Sequence, residues 1–149
     1  MVSRKSGELA KAREEYVQAM YRATHPQKIR VYVYHIDEDS TPFFEKALNI
    51  ALEHDLGRKE IEEPAEKLVD LYANKAKTAA EGTVISYNHS RELYRKAGEV
   101  AKHLPEEQRN RIHKRIELAL QIVATRAEEK LQKERENEAL LLRLDENSQ

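Results

Sequence analysis

The stretch "KIRVYVYHID", Lys28 to Asp37, constrains this chain more than any other. It alternates like a β-strand, and no other segment of comparable quality exists in a sequence that otherwise repeats its apolar residues at helical spacing. A strand exposes a row of backbone N–H and C=O groups that need partners. Three solutions follow for residues 28–36: the stretch is no strand at all, it pairs with the weak segment "GTVIS" at 82–86, or it pairs with its twin in a second chain. Read as one strand, its faces differ. Ile29, Val31, Val33 and His35 lie on one side, and Lys28, Arg30, Tyr32 and Tyr34 on the other.

The rest of the chain supplies helices. Leu9, Ala12, Tyr16, Ala19, Met20 and Ala23 step by threes and fours after Ser6, and Pro26 ends the run. Thr41 is the expected cap of a second helix with Pro42 at its first position, running to His54. Its apolar residues wrap most of the circumference, which predicts burial on several sides. Gly57 closes it. A third helix follows from 61 to about 80, with Pro64 expected in its first turn and Gly82 as its stop. A fourth carries Tyr87, Ser90, Tyr94, Ala97 and Ala101. Pro105 opens a fifth, whose stripe is Ile112, Ile116, Ala119, Leu120, Val123, Ala127 and Leu131. Beyond that lies the polar run "EEKLQKEREN" and then "ALLLRL". The fold class is mainly α, with about five helices and one short β-strand that pairs across a homodimer. The expected divisions are an N-terminal helix at 1–27, a strand–helix–helix unit at 28–80, a helical hairpin at 81–135 and a tail at 136–149.

Composition narrows the function classes. The 149 residues carry no Cys, which excludes a disulfide framework and Cys-based metal sites and suits a reducing, cytoplasmic setting. No apolar run reaches membrane-spanning length, and the N-terminus lacks a signal-peptide core. Net charge is −1 but is unevenly spread: +4 over residues 1–36, −7 over 37–70, +5 over 71–127 and −3 over 128–149.

Chemistry-bearing motifs are few. "ALEHDLGRK", with adjacent His54 and Asp55, resembles the His-Asp signature of the HD metal-dependent phosphohydrolases. That family also needs an upstream His and a downstream Asp on neighbouring helices. Here His25 and His35 flank or occupy the strand, Asp70 is too close and Asp145 too remote. His54 also suits a helix end on its own. No phosphate loop, nucleophile elbow or helical His pattern is present. The sequence thus predicts neither catalysis nor a cofactor or metal. "RELYRKAGEVAKHLPEEQRNRIHKR" is basic, but Glu92, Glu99, Glu106 and Glu107 interleave it, and it reads first as a solvated face.

Two families are similar in part. Residues 65–131, with Ala73, Ala76, Ala79, Gly82, Tyr94 and Ala97 at expected crossings, resemble the three-helix MIT domain and tetratricopeptide-like modules. That likeness implies a helical adaptor. Residues 28–80, in the order strand, helix, turn, helix, resemble the ribbon-helix-helix family. There, strands from two subunits pair antiparallel and enter the DNA major groove. The resemblance implies a dimeric DNA-binding protein of repressor or plasmid- or viral-accessory type. It places Ile29, Val31 and Val33 in the dimer interface. Lys28, Arg30 and Tyr32 would contact duplex DNA, and Arg58 and Lys59 would grip a phosphate. Leu140, Leu141, Leu142 and Leu144 form a sticky end expected to dock on a protein partner or a second subunit.

Overall fold

The computed structural model describes residues 3–81 and 84–147, so Gly82, the expected stop of the third helix, lies outside the described residues. The elements are α1 Ser3–Thr24, β1 Lys28–Val31, β2 Tyr34–Asp37, α2 Thr41–Glu53, α3 Arg58–Ala79, α4 Val84–Ala101 and α5 Glu106–Asn147. The protein is mainly helical, as its periodicity predicts. Consecutive helices are one another's main packing partners: α1 with α2, α2 with α3, α3 with α4, and α4 with α5. The hairpin lies between α1 and α2, while few residues separate α2 from α3 and α4 from α5.

The expected single strand is corrected. Residues 28–37 form a hairpin in which β1 and β2 pair antiparallel, Lys28 opposite Asp37, Ile29 opposite Ile36, Arg30 opposite His35 and Val31 opposite Tyr34. The chain reverses at Tyr32–Val33. Tyr32 adopts φ 58°, a left-handed conformation that strand-forming residues rarely take and that a two-residue hairpin turn demands. Alternation alone did not show this reversal because no Gly, Asn or Asp marks it. "GTVIS" supplies no strand either, since its described residues from Val84 onward begin α4.

α2 is apolar on most sides because it is covered on two. Ala47, Ile50 and Ala51 pack with Ala12, Tyr16 and Ala19 of α1 and with Leu56. Phe44 and Leu48 join the larger core formed with α3, α4 and α5. The helix begins one residue early, with Ser40 rather than Thr41 at the cap position. Asp39 Oδ1 accepts from the Thr41 N–H at 3.0 Å and takes over the capping role.

Its far end explains the His-Asp pair. The His54 N–H donates to the Ile50 carbonyl at 3.0 Å and the Leu56 N–H to Ala51 at 3.1 Å. Asp55 between them has φ 46°. This is a Schellman closure with Asp in the left-handed position, sealed by buried Leu56.

α3 starts at Arg58, ahead of the expected residue 61, after Gly57 at φ 125°. Pro64 is consequently inside the helix, not in its first turn, and it is fully buried. α3 and α4 approach closely because Ala65, Ala76, Ala97 and Ala101 present no bulk where they meet, and all four are fully buried. Ser90 sits in the same seam and donates to the Ala76 carbonyl at 2.6 Å.

α5 is 42 residues long. Its first half lays Ile112, Ile116, Ala119, Leu120, Val123 and Ala127 against the core. From residue 128 to residue 147 every residue but Lys130 is exposed. That length of helix extends about 30 Å. The tail boundary expected at 135 falls inside this continuous helix.

Candidate interaction surfaces

The hairpin stands between α1 and α2 and packs chiefly on itself. Its base is tied down. The Glu38 carboxylate accepts from the Gln27 N–H at 2.9 Å and pairs with Arg22 of α1 at 2.9 Å. Those hydrogen bonds, the one from Gln27 foremost, hold the Glu38 carboxyl below the usual glutamate range. Arg22 also lies over the Phe43 ring at 5.2 Å, joining hairpin base, α1 and α2. Asp39 extends the clamp to α3 through Lys75. Burial opposes ionisation of Asp39, but hydrogen bonds from Lys75 and Thr41 outweigh it and hold its carboxyl below the usual range.

The two-residue turn changes the faces. Beyond it the alternation shifts by one, so Tyr34 and Ile36 share a side with Ile29 and Val31, and His35 shares a side with Lys28 and Arg30. Ile29, Val31 and Ile36 are each exposed by 40–47%. Val33 lies in the turn, not on the face it was expected to share with Ile29 and Val31. Tyr32 is at the tip, 89% exposed. Within the chain, β1 and β2 satisfy one another's ladder along their facing edges.

The residues expected to contact DNA are not gathered together. Lys28 is paired with Asp37 at 2.8 Å. The Arg30 side chain turns back, its Nε donating to the Tyr32 carbonyl at 3.0 Å. Arg58 and Lys59 lie beyond the other end of α2, about 20 Å along its axis. There Arg58 pairs with Glu62 at 3.3 Å, in a shallow depression that Glu63 and Glu66 also line.

A cleft of about 400 Å³ opens between α2 and α4 over α3. Leu48 and Asn49 line one wall, Leu68 and Tyr72 the floor, and Arg95, Lys96 and Val100 the other wall. The Tyr72 hydroxyl donates to Glu45 on its rim. Burial first, then Glu45, raises the Tyr72 phenol above its ordinary range. Among the described residues, no group of three His, Asp or Glu side chains gathers where it could hold a metal. His54 and Asp55 act as the helix cap already described.

The leucines expected to dock are on the projecting half of α5, and Leu140, Leu141, Leu142 and Leu144 are all exposed. Sequence reading missed Leu118 and Ile122, which are exposed on the packed half. The available signal was their spacing of four residues out of phase with the buried stripe. No helix among the described residues is long and apolar enough to cross a membrane. In comparisons with known proteins, the chain matches no protein-family model, no curated protein and no solved structure.

Proposed function

We propose that this chain is a non-enzymatic helical adaptor. α1 to α4 and the first half of α5 form the body, and the second half of α5 is its binding element. One observation carries this reading: residues 128–147 continue as helix while burying almost nothing against their own chain. Helices in water draw most of their stability from packing an apolar face. A 20-residue extension presenting leucines is therefore built for something outside the chain. The basic and acidic residues between 128 and 138 keep it in water until then.

The DNA reading rested on an unpaired strand and a basic grip at Arg58 and Lys59. The hairpin closes the first within the chain, and Glu62, Glu63 and Glu66 surround the second. Truncation after Ala127 tests the adaptor reading. At a concentration where the full chain is monomeric, the shortened protein is expected to keep that chain's thermal midpoint. A collapse of the midpoint would make the extension part of the core and remove the proposal. Electrophoretic shift with random duplex at two salt concentrations tests the other. Salt-dependent retardation abolished by Arg30→Ala would put DNA binding in its place.

A further inference from the structure

The outer face of α5 carries residues whose spacing reads the same in both directions while the charges invert. Leu118, Ile122, Arg126, Glu129, Lys133, Glu136, Leu140 and Leu144 follow at steps of 4, 4, 3, 4, 3, 4 and 4. At 100° per residue they fall within a stripe about 80° wide. The stripe is turned roughly a third of a turn from the face that packs on α4. All eight residues are exposed. The order of chemistry is apolar, apolar, basic, acidic, basic, acidic, apolar, apolar.

We infer that this stripe pairs with itself: two copies of the chain associate through antiparallel α5 helices, around a two-fold axis level with residue 131. This rests on the adaptor reading and names the partner of its binding element. Reversal brings Leu118 opposite Leu144 of the second copy and Ile122 opposite Leu140. Arg126 meets Glu136, and Glu129 meets Lys133. Each contact occurs twice, as an isologous interface requires. No like-charged pair falls opposite itself. A parallel pairing in register would instead set Arg126 on Arg126 and Glu129 on Glu129, which charge repulsion disfavours.

The geometry also accounts for the projecting half of the helix. In the pair, Leu140 and Leu144 of the unsupported half lie on Leu118 and Ile122 of the partner's supported half. Each body thus covers the other's extension, and the bodies lie toward opposite ends of the pair. Steps of 4, 4 and 3 sum to eleven residues, a repeat that keeps such a stripe nearly straight along the helix over its length of about 40 Å. Leu141 and Leu142 point away from the stripe and take no part.

The full-length protein tests this directly. Sedimentation equilibrium is expected to show a mass that rises with concentration to two chains. Glu129→Lys creates two Lys–Lys oppositions and should weaken the dimer roughly tenfold. Adding Lys133→Glu should restore it. The natural chain has no Cys, so introduced thiols report orientation without background. A mixture of Ile122→Cys and Leu140→Cys chains should form the mixed disulfide dimer in preference to either symmetric one. A chain that stays monomeric, a Glu129→Lys variant that dimerises like the parent, or preferred Ile122→Cys self-linkage would each overturn the pairing. If the chain is monomeric while truncation after Ala127 leaves the melt unchanged, only the pairing fails. If truncation unfolds the body, the adaptor reading fails with it.

Discussion

Arg22 on α1 and Glu38 after β2 meet edge to edge across the base of the hairpin, Nε to Oε1 at 2.9 Å and Nη2 to Oε2 at 3.2 Å. The pair joins the first helix to a loop sixteen residues on, and it is what fixes where the hairpin leaves the body. The Glu38 carboxyl ionises below its unfolded value. Its contribution is therefore present above the ordinary glutamate range, about pH 4, and lost as pH falls through the lowered value. Acidification should release the hairpin before the helical body melts. Amide exchange over residues 28–37 should accelerate at low pH in the parent. In Arg22→Ala it should already be fast at neutral pH, with the global melt little moved.

Tyr32 occupies a backbone conformation that glycine adopts freely. Tyr32→Gly should tighten the turn, by up to about 1 kcal/mol of local stability, even though it removes a large exposed side chain. The check is slower amide exchange in β1 and β2. Faster exchange would mean that the tyrosine ring itself holds the tip.

Ser90 donates into the α3–α4 seam at a point where nothing larger fits. Ser90→Ala should cost about 1 kcal/mol, since the Ala76 carbonyl keeps its own helical partner, the Ala80 N–H at 3.0 Å. Ser90→Leu should cost several times as much, because the two helices must part to admit it. Denaturant melts of the two variants would rank them.

Tyr16 is buried with a hydroxyl that finds no hydrogen-bond partner among the described residues. Burial first, then the charges of Glu63 and Glu60, pushes its phenol up to about 12. A raised tyrosine value means that the folded state favours the protonated form. The associated stability is complete below pH 10 and is lost between about pH 10 and 12. Tyr16→Phe keeps the ring and removes both the orphaned hydroxyl and the titration. It should be no less stable at neutral pH and should resist alkaline unfolding better than the parent.

The helices were legible because each has a buried stripe at the right period, and α2 even announced its two covered sides. What escaped the sequence were features set by single backbone conformations. Tyr32 and Asp55 both adopt positive φ without being glycine; the turn inside "RVYVYH" carried no compositional mark, whereas the closure at His54–Asp55 carried the Asp that such positions favour. The first was read as a single strand; the second resembled a metal motif, but without the partner ligands it was read as a helix end, which is what it is. Pro64 misplaced the start of α3 because a proline within the second turn is tolerated when the surrounding packing holds the helix on both sides. The outer stripe of α5 was hidden by its charged middle, since a search for apolar periodicity stops at Arg126 and resumes only at Leu140.

The serial packing of α1 to α5 has a kinetic consequence. Each helix finds its main partner among its immediate neighbours along the chain, so little of the fold waits on distant segments meeting by diffusion. Assembly can begin at the α3–α4 seam and spread outward one helix at a time, much as in repeat arrays. The far half of α5, exposed along almost its whole length, is then the element that joins last and holds the body least.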